Sequence, residues 1–282
     1  LGKICSHSKI TYQKTAFTLY AVFSVSNTFR KMTKEFKCQI EGHSIAVKHI
    51  RKEGAKETVI FLHDSLGCIQ LWRDFPELAF PNYNIFIYDR RGYGKSSAMI
   101  NTTRPIDYLE KEADLLIQLM HQLQIYQPII FGHSDGGTIA LLAAAKYPKD
   151  IKAIFTEGAH IYAEDITFRG IKAAETAFAT TNLKEKLEKY HGSNTQYVFN
   201  AWVHTWLQPA FIHWNISTFL PQIICPAFIA QGVDDEFGSE QQVIDIMQHI
   251  GSTVKQSILI PDAQHTPHKE NKVVLIEFIQ SV

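Results

Sequence analysis

Gly132-His133-Ser134-Asp135-Gly136 fits the pattern G-x-S-x-G, and its flanks give the pattern a structural context. Before it runs Tyr126-Gln127-Pro128-Ile129-Ile130-Phe131, an apolar run that reads as a buried strand. After it runs Gly137-Thr138-Ile139-Ala140-Leu141-Leu142-Ala143-Ala144-Ala145, which reads as a helix. A serine on a sharp strand-to-helix turn has its hydroxyl pushed out beyond the sheet edge, and the glycines keep side chains out of the tight turn. The helix behind it aims its N-terminus at the same spot, where it favours negative charge.

Serine alone is a weak nucleophile. It needs a base to take its proton and a carboxylate to orient that base, and after such an elbow these follow in the order Ser, Asp, His. Phe228-Ile229-Ala230-Gln231-Gly232 reads as a buried strand with Asp234 and Asp235 just past its end. Ser257-Ile258-Leu259-Ile260-Pro261 reads as another, followed by Asp262-Ala263-Gln264-His265. Each candidate lies past the carboxyl end of a strand, the edge where open parallel sheets place their ligands.

With these landmarks the chain resembles the α/β-hydrolase family, of the type with a serine nucleophile and a helical cap. The resemblance spans roughly residues 36–282. It rests on His63-Asp64-Ser65-Leu66-Gly67, on Tyr88-Asp89-Arg90-Arg91-Gly92-Tyr93-Gly94-Lys95-Ser96, on Gly132 to Gly137 and on Gln264-His265-Thr266-Pro267-His268. The fold class expected is α/β, a mostly parallel open sheet with helices on both faces. The resemblance divides the chain into an N-terminal extension at 1–35, a core at 36–160 and 222–282, and a helical cap at 161–221. It implies the catalytic set Ser134, Asp235 and His265. Asp235 stands three residues after the strand-ending Gly232, as the family pattern has it; Asp234 and Glu157 stay open as alternative acids. It further implies an oxyanion hole from the backbone N–H groups of Asp135 and Ser65. One residue departs from the pattern: the family commonly has His-Gly where this chain has His63-Asp64, which sets a carboxylate beside a site that must stabilise an anion.

Composition fits these expectations. The 282 residues are 45% hydrophobic, enough for a sizeable core. Lys+Arg and Asp+Glu balance at 28 each, so no charge excess points to nucleic acid or an anionic membrane. Four cysteines, at 5, 38, 68 and 225, form no C-x-x-C pair and read as reduced thiols, with Cys68 near the expected active-site loop. His265-x-x-His268 has a spacing that binds metal elsewhere, but no carboxylate pattern accompanies it, and neither a metal nor a cofactor is expected. Gly94-Lys95-Ser96 resembles the end of a P-loop, but position 89 is Asp where that motif needs glycine.

The remaining runs alternate strand and helix. Phe36–Ile40 and Ser44–Ile50 read as a hairpin, Thr58–Leu62 and Asn84–Tyr88 as covered strands, and Ile151–Phe155 as the next strand. Gln70–Leu78 and Asp107–Leu123 read as helices. From Ile161 to Pro221 the pattern turns helical and aromatic, and three of the four tryptophans fall there. Trp202, Trp206 and Trp214, with His160, are the expected substrate-pocket residues; cap packing is the competing reading of these aromatics. Ala16 to Val25 is apolar behind Lys3, Lys9 and Lys14, which gives two readings: a poor secretory signal, or a natural start at Met32 and a cytoplasmic protein. That stretch is too short to span a membrane.

The expected activity is hydrolysis of a small-molecule ester or lactone with an apolar acyl group. A weaker similarity points to acyl-homoserine lactone hydrolases and so to quorum-signal cleavage. The alternatives are a carbon–carbon bond hydrolase of ring-cleavage products and a non-catalytic ligand-binding member of the fold.

Overall fold

The computed structural model describes residues 31–98 and 101–282. Among the described residues, eight strands form one sheet: β1 (Lys31–Ile40), β2 (His43–Lys52), β3 (Thr58–Leu62), β4 (Asn84–Tyr88), β5 (Ile129–His133), β6 (Ala153–Glu157), β7 (Ala227–Gly232) and β8 (Lys255–Ile260). Their order is β1-β2-β4-β3-β5-β6-β7-β8. β2 runs antiparallel to both its neighbours, and every pair from β4 to β8 is parallel. Parallel strands need crossovers, and helices supply them: α1 (Phe75–Ala79), α2 (Tyr108–Gln122), α3 (Asp135–Lys146), then α4 (Asp165–Thr180), α5 (Leu183–His191) and α6 (Thr195–Trp206) between β6 and β7, and α7 (Glu240–His249) between β7 and β8; α8 (Pro267–Glu270) and α9 (Lys272–Gln280) follow the last strand.

Side chains alternate across the sheet and build two cores. Ile60, Leu62, Ile130, Ile154 and Ile229 face α2, α3, α7 and the helices between β6 and β7. Val59, Phe61, Ile129, Phe131, Phe155 and Phe228 face Trp72, α1 and α9. Both faces of the central strands are therefore apolar, which is why they read as continuous hydrophobic runs. α3 is buried almost all round; its Gly136, Gly137, Ala140, Ala143 and Ala144 let it lie close against the sheet.

Several boundaries differ from the sequence expectation, each for a local reason. The run Gln70–Leu78 is not one helix. It divides into a 3-10 turn at Ile69–Trp72 and the short α1, because Arg73 takes φ 49° and breaks the ladder. β5 begins at Ile129 rather than Tyr126, since Gln127 sits at φ 45° and Pro128 has no N–H to donate. β6 lies two residues further on than read, at Ala153–Glu157. β1 starts before residue 36: Lys31 pairs with Lys52 and Glu35 with Lys48, so the described end of the supposed extension is strand. The two readings of the N-terminus concern residues 1–30, which lie outside the described residues. Among the described residues, no helix is long and apolar enough to cross a membrane.

Candidate active site

Ser134 stands between the end of β5 and the start of α3, with φ 55° and ψ −119°. A non-glycine residue held there costs about 1–3 kcal/mol, so surrounding contacts must enforce it. Ser134 N–H donates to the Glu157 carbonyl at 2.9 Å, and the Ser134 carbonyl accepts from Thr138 N–H at 3.0 Å. The flanking glycines allow the turn to close. A Cβ on Gly132 would stand 2.2 Å from the Gly136 carbonyl oxygen, and one on Gly136 would stand 2.1 Å from the Leu62 oxygen. Both obstacles are backbone and cannot swing away. Gly136→Ala is therefore expected to destabilise the fold by about 1–3 kcal/mol or more and to displace the elbow from the loop after β3. Thermal melting beside turnover checks this; an unchanged melting temperature would mean the two segments slide freely.

His265, past β8, meets the elbow from the other side. Its Nε2 lies 2.9 Å from Ser134 Oγ, and its Nδ1 lies 2.9 and 3.0 Å from the two Asp235 oxygens. Asp235 Oδ1 also accepts from the N–H groups of Phe237 at 2.8 Å and Gly238 at 3.2 Å, which fixes the carboxylate. Burial disfavours the charged form of both partners, but their mutual attraction outweighs it. The Asp235 carboxyl is held down at about 2, and His265 is held well above the usual histidine range. The alternative acids go elsewhere: Asp234 is exposed, and Glu157 binds His268.

Ser65 and Asp135 border the same cavity as Ser134. Asp135 is the first residue of α3, so its N–H has no acceptor within the helix. The loop carrying Ser65 is tied down by buried contacts. His63 Nδ1–H donates to the Asp64 carbonyl at 2.7 Å, while its Nε2 accepts from Arg90 N–H at 3.0 Å. Arg90 Nη2 donates to the Asp64 carbonyl at 2.9 Å and pairs with the Asp135 carboxylate at 3.3 Å, both side chains being buried. Tyr108 donates its hydroxyl to Asp135 at 2.9 Å and accepts from Trp206 Nε1–H at 3.1 Å. A continuous polar chain thus joins the helical segment to the elbow. Its members Tyr108 and Arg90 are far apart in sequence, so spacing did not reveal it. His191, likewise missed, donates from Nε2 to the Leu66 carbonyl at 2.9 Å and accepts at Nδ1 from Gly94 N–H at 3.2 Å.

The cavity over Ser134 holds about 130 Å³. Trp202, Trp206, Ile171 and Phe237 make its apolar wall, and His160 also lines it. Trp214 does not line it, which corrects the expectation for that residue. Its ring stacks on Phe211 at 5.6 Å and packs behind Trp206 at 5.4 Å, in the core of the helical segment. Asp64 borders the cavity, as its departure from the family pattern implied, and so does Glu236, which the sequence did not single out and which accepts from His265 N–H at 3.1 Å. Cys68 is not a reactive thiol here, since burial pushes it up to about 12.

Behind the Ser134–His265 pair lies a second polar group. His133, Glu157 and His268 are all buried, with ligand-type atoms within 4.8 Å of one another. His268 Nδ1 contacts Glu157 Oε1, and His268 N–H donates to Glu157 Oε2 at 3.1 Å. The sequence showed two histidines, at 265 and 268, without an accompanying carboxylate; the fold brings Glu157 from the end of β6.

A family model described as serine aminopeptidase, S33, matches residues 53–272. The human serine hydrolase BPHL is 30% identical over 196 residues, which are 66% of this chain and 64% of that protein. The match therefore spans somewhat under two thirds of the human protein's length. Among solved structures, a membrane phospholipase A described as a bacterial virulence factor superposes with a TM-score of 0.72 at 17% identity, covering 88% of this chain and 85% of the other. The enol-lactonase from Burkholderia xenovorans LB400 superposes with a TM-score of 0.68 at 16% identity, covering 87% and 98%. Likeness at that identity speaks for the fold, and the family match for descent: the chain belongs to the S33 serine aminopeptidase-like family of α/β hydrolases.

Proposed function

We propose that the protein is a cofactor-independent serine hydrolase that cleaves a carboxylic ester or lactone through an acyl-enzyme on Ser134. The unbroken relay Ser134 Oγ–His265 Nε2 and His265 Nδ1–Asp235, 2.9 Å at each step, carries this reading. His265 takes the Ser134 proton as Oγ attacks the carbonyl carbon. The tetrahedral oxyanion is held by the N–H groups of Asp135 and Ser65. Collapse expels the alkoxide, which takes the proton back from His265. Water, deprotonated by the same imidazole, then releases the acid and restores Ser134. In a lactone both products stay on one molecule.

The segment 161–221 acts as the cap that closes this site, since Thr167, Ile171, Trp202 and Trp206 border the cavity. Drug-sized ligands occupy pockets of roughly 300–1,000 Å³. A cavity of about 130 Å³ favours a short acyl group or a small ring over a long acyl chain. Asp64 and Glu236 border it and, among the described residues, no lysine or arginine does, which speaks against a carboxylate-bearing substrate. The carbon–carbon hydrolase reading needed Arg90 or Arg91 for that carboxylate. Arg90 is fully buried on Asp135, and Arg91 lines a different groove with Glu41 and Glu112. The names of relatives, a serine hydrolase and an enol-lactonase, agree with ester or lactone cleavage.

A chain-length series of p-nitrophenyl esters and N-acyl homoserine lactones tests the reading, with products identified by mass spectrometry. Turnover of short-chain esters or lactones by wild type, falling at least about tenfold in kcat/KM for a long chain, is expected from the cavity. Absence of turnover across the series, together with no labelling of Ser134 by an activated phosphonate, would leave the fold with a binding role only.

A further inference from the structure

Three strand ends and the helix after His265 converge on one buried point. His133 comes from the end of β5, Glu157 from the end of β6, His268 from α8, and Asp64 from the loop after β3. The ligand-type atoms of His133, Glu157 and His268 lie within 4.8 Å of one another, and Asp64 Oδ2 lies 3.9 Å from His133 Nδ1. The Ser134–His265–Asp235 relay uses none of these side chains.

We propose that His133, Glu157 and His268, with Asp64 as the fourth ligand, form a zinc site that braces the nucleophile elbow and the His265 loop. The donor set is two imidazoles and two carboxylates, the nitrogen and oxygen ligands that a borderline divalent ion such as zinc takes. Tetrahedral ligands about 2.0–2.1 Å from zinc stand roughly 3.4 Å apart, close to the 3.9 Å between Asp64 Oδ2 and His133 Nδ1. His133 shows the arrangement of a metal-ligating histidine: Nε2–H donates to the His265 carbonyl at 2.8 Å, leaving Nδ1 to accept. That bond joins the proposed site to the residue it would hold in place.

Burial supplies the energetic argument. The Glu157 side chain is 0% exposed, and its Oε1 contacts His268 Nδ1. A divalent ion shared with Asp64 would compensate the charge of this buried carboxylate. Asp64 gives the ion a way in, since its side chain is 27% exposed and borders the cavity over Ser134. The carboxylate that departs from the family's glycine at this position thereby acquires a role.

The test uses the whole chain freed of metal by chelation and dialysis. Zinc chloride is titrated by calorimetry and thermal shift, and cobalt(II) is followed by its visible absorption. One equivalent per chain is expected, with micromolar or tighter affinity, a melting temperature raised by several degrees, and an intense tetrahedral cobalt spectrum. Glu157→Gln and His268→Asn should each weaken zinc binding by about 100-fold, and Asp234→Asn should leave it unchanged. Should both ligand variants fail to fold, X-ray absorption of the zinc-loaded wild type decides: two imidazoles with oxygen ligands support the site. Fewer than two imidazoles, no thermal shift, or binding undiminished in folded ligand variants overturns it.

Discussion

Replacing Ser134 by alanine lowers kcat on the proposed ester substrates by about 10⁴-fold or more, while the melting temperature stays within a degree or two of wild type. Both halves follow from the local structure. Oγ meets His265 Nε2 at 2.9 Å, and removing it takes away the nucleophile. The backbone at Ser134 is held by its own N–H and carbonyl bonds, to Glu157 and Thr138, and alanine keeps both. Alanine also suffers the same left-handed strain as serine, so folded and unfolded states change little between them. His265→Ala is expected to cost as much, because the two residues act as one unit. The double variant should then be no slower than either single one, since only binding and the oxyanion hole remain in all three. Steady-state rates of the three variants, with phosphonate labelling as a count of intact sites, make the comparison. If Ser134→Ala kept a tenth or more of the wild-type rate, another group would be the nucleophile and the acyl-enzyme route would be wrong.

Local pattern was enough to locate the elbow, because its parts are contiguous: an apolar strand, two glycines about a serine, and an alanine-rich helix. The central strands were legible for a similar reason. Residues covered on both faces, such as Val59–Leu62, are apolar without interruption. The resemblance to the family then supplied what spacing could not, the pairing of residue 134 with residues 235 and 265. What stayed hidden was decided by packing between distant segments. Trp202, Trp206 and Trp214 are equivalent as letters, but the first two border the cavity and the third lies behind them. Glu157 reads as a spare acid for the triad, and only the register of β6 beside β5, His133 against Glu157, turns attention to His268. The break at Arg73 has no sequence signature at all, since arginine ordinarily favours helix.

The other large effect separates two adjacent carboxylates. Asp235→Asn is expected to lower kcat by about 10⁴-fold, and Asp234→Asn by less than about threefold, because Asp234 is exposed and the hydrogen bonds of His265 Nδ1 go to Asp235. The reason lies in the hydrogen-bond geometry. Asp235 Oδ1 accepts from Phe237 N–H and Gly238 N–H, so asparagine keeps its carbonyl oxygen there and turns its amide –NH₂ toward His265. That amide donates to Nδ1 and forces the proton onto Nε2. An Nε2 that carries a proton cannot take the one on Ser134 Oγ. The pH profile offers a second, independent readout. Burial lowers the His265 pKa, but Asp235 raises it more, and the net shift is upward. His265 must be neutral to act as a base, so wild-type kcat/KM falls as the pH drops below this raised pKa. With the carboxylate gone, the pKa falls, and the residual activity of Asp235→Asn should lose its acid limb at a lower pH than wild type. Profiles from pH 5 to 10 measure both limbs. An acid limb that stays in place, or a larger loss from Asp234→Asn, would show that Asp235 does not set the state of His265.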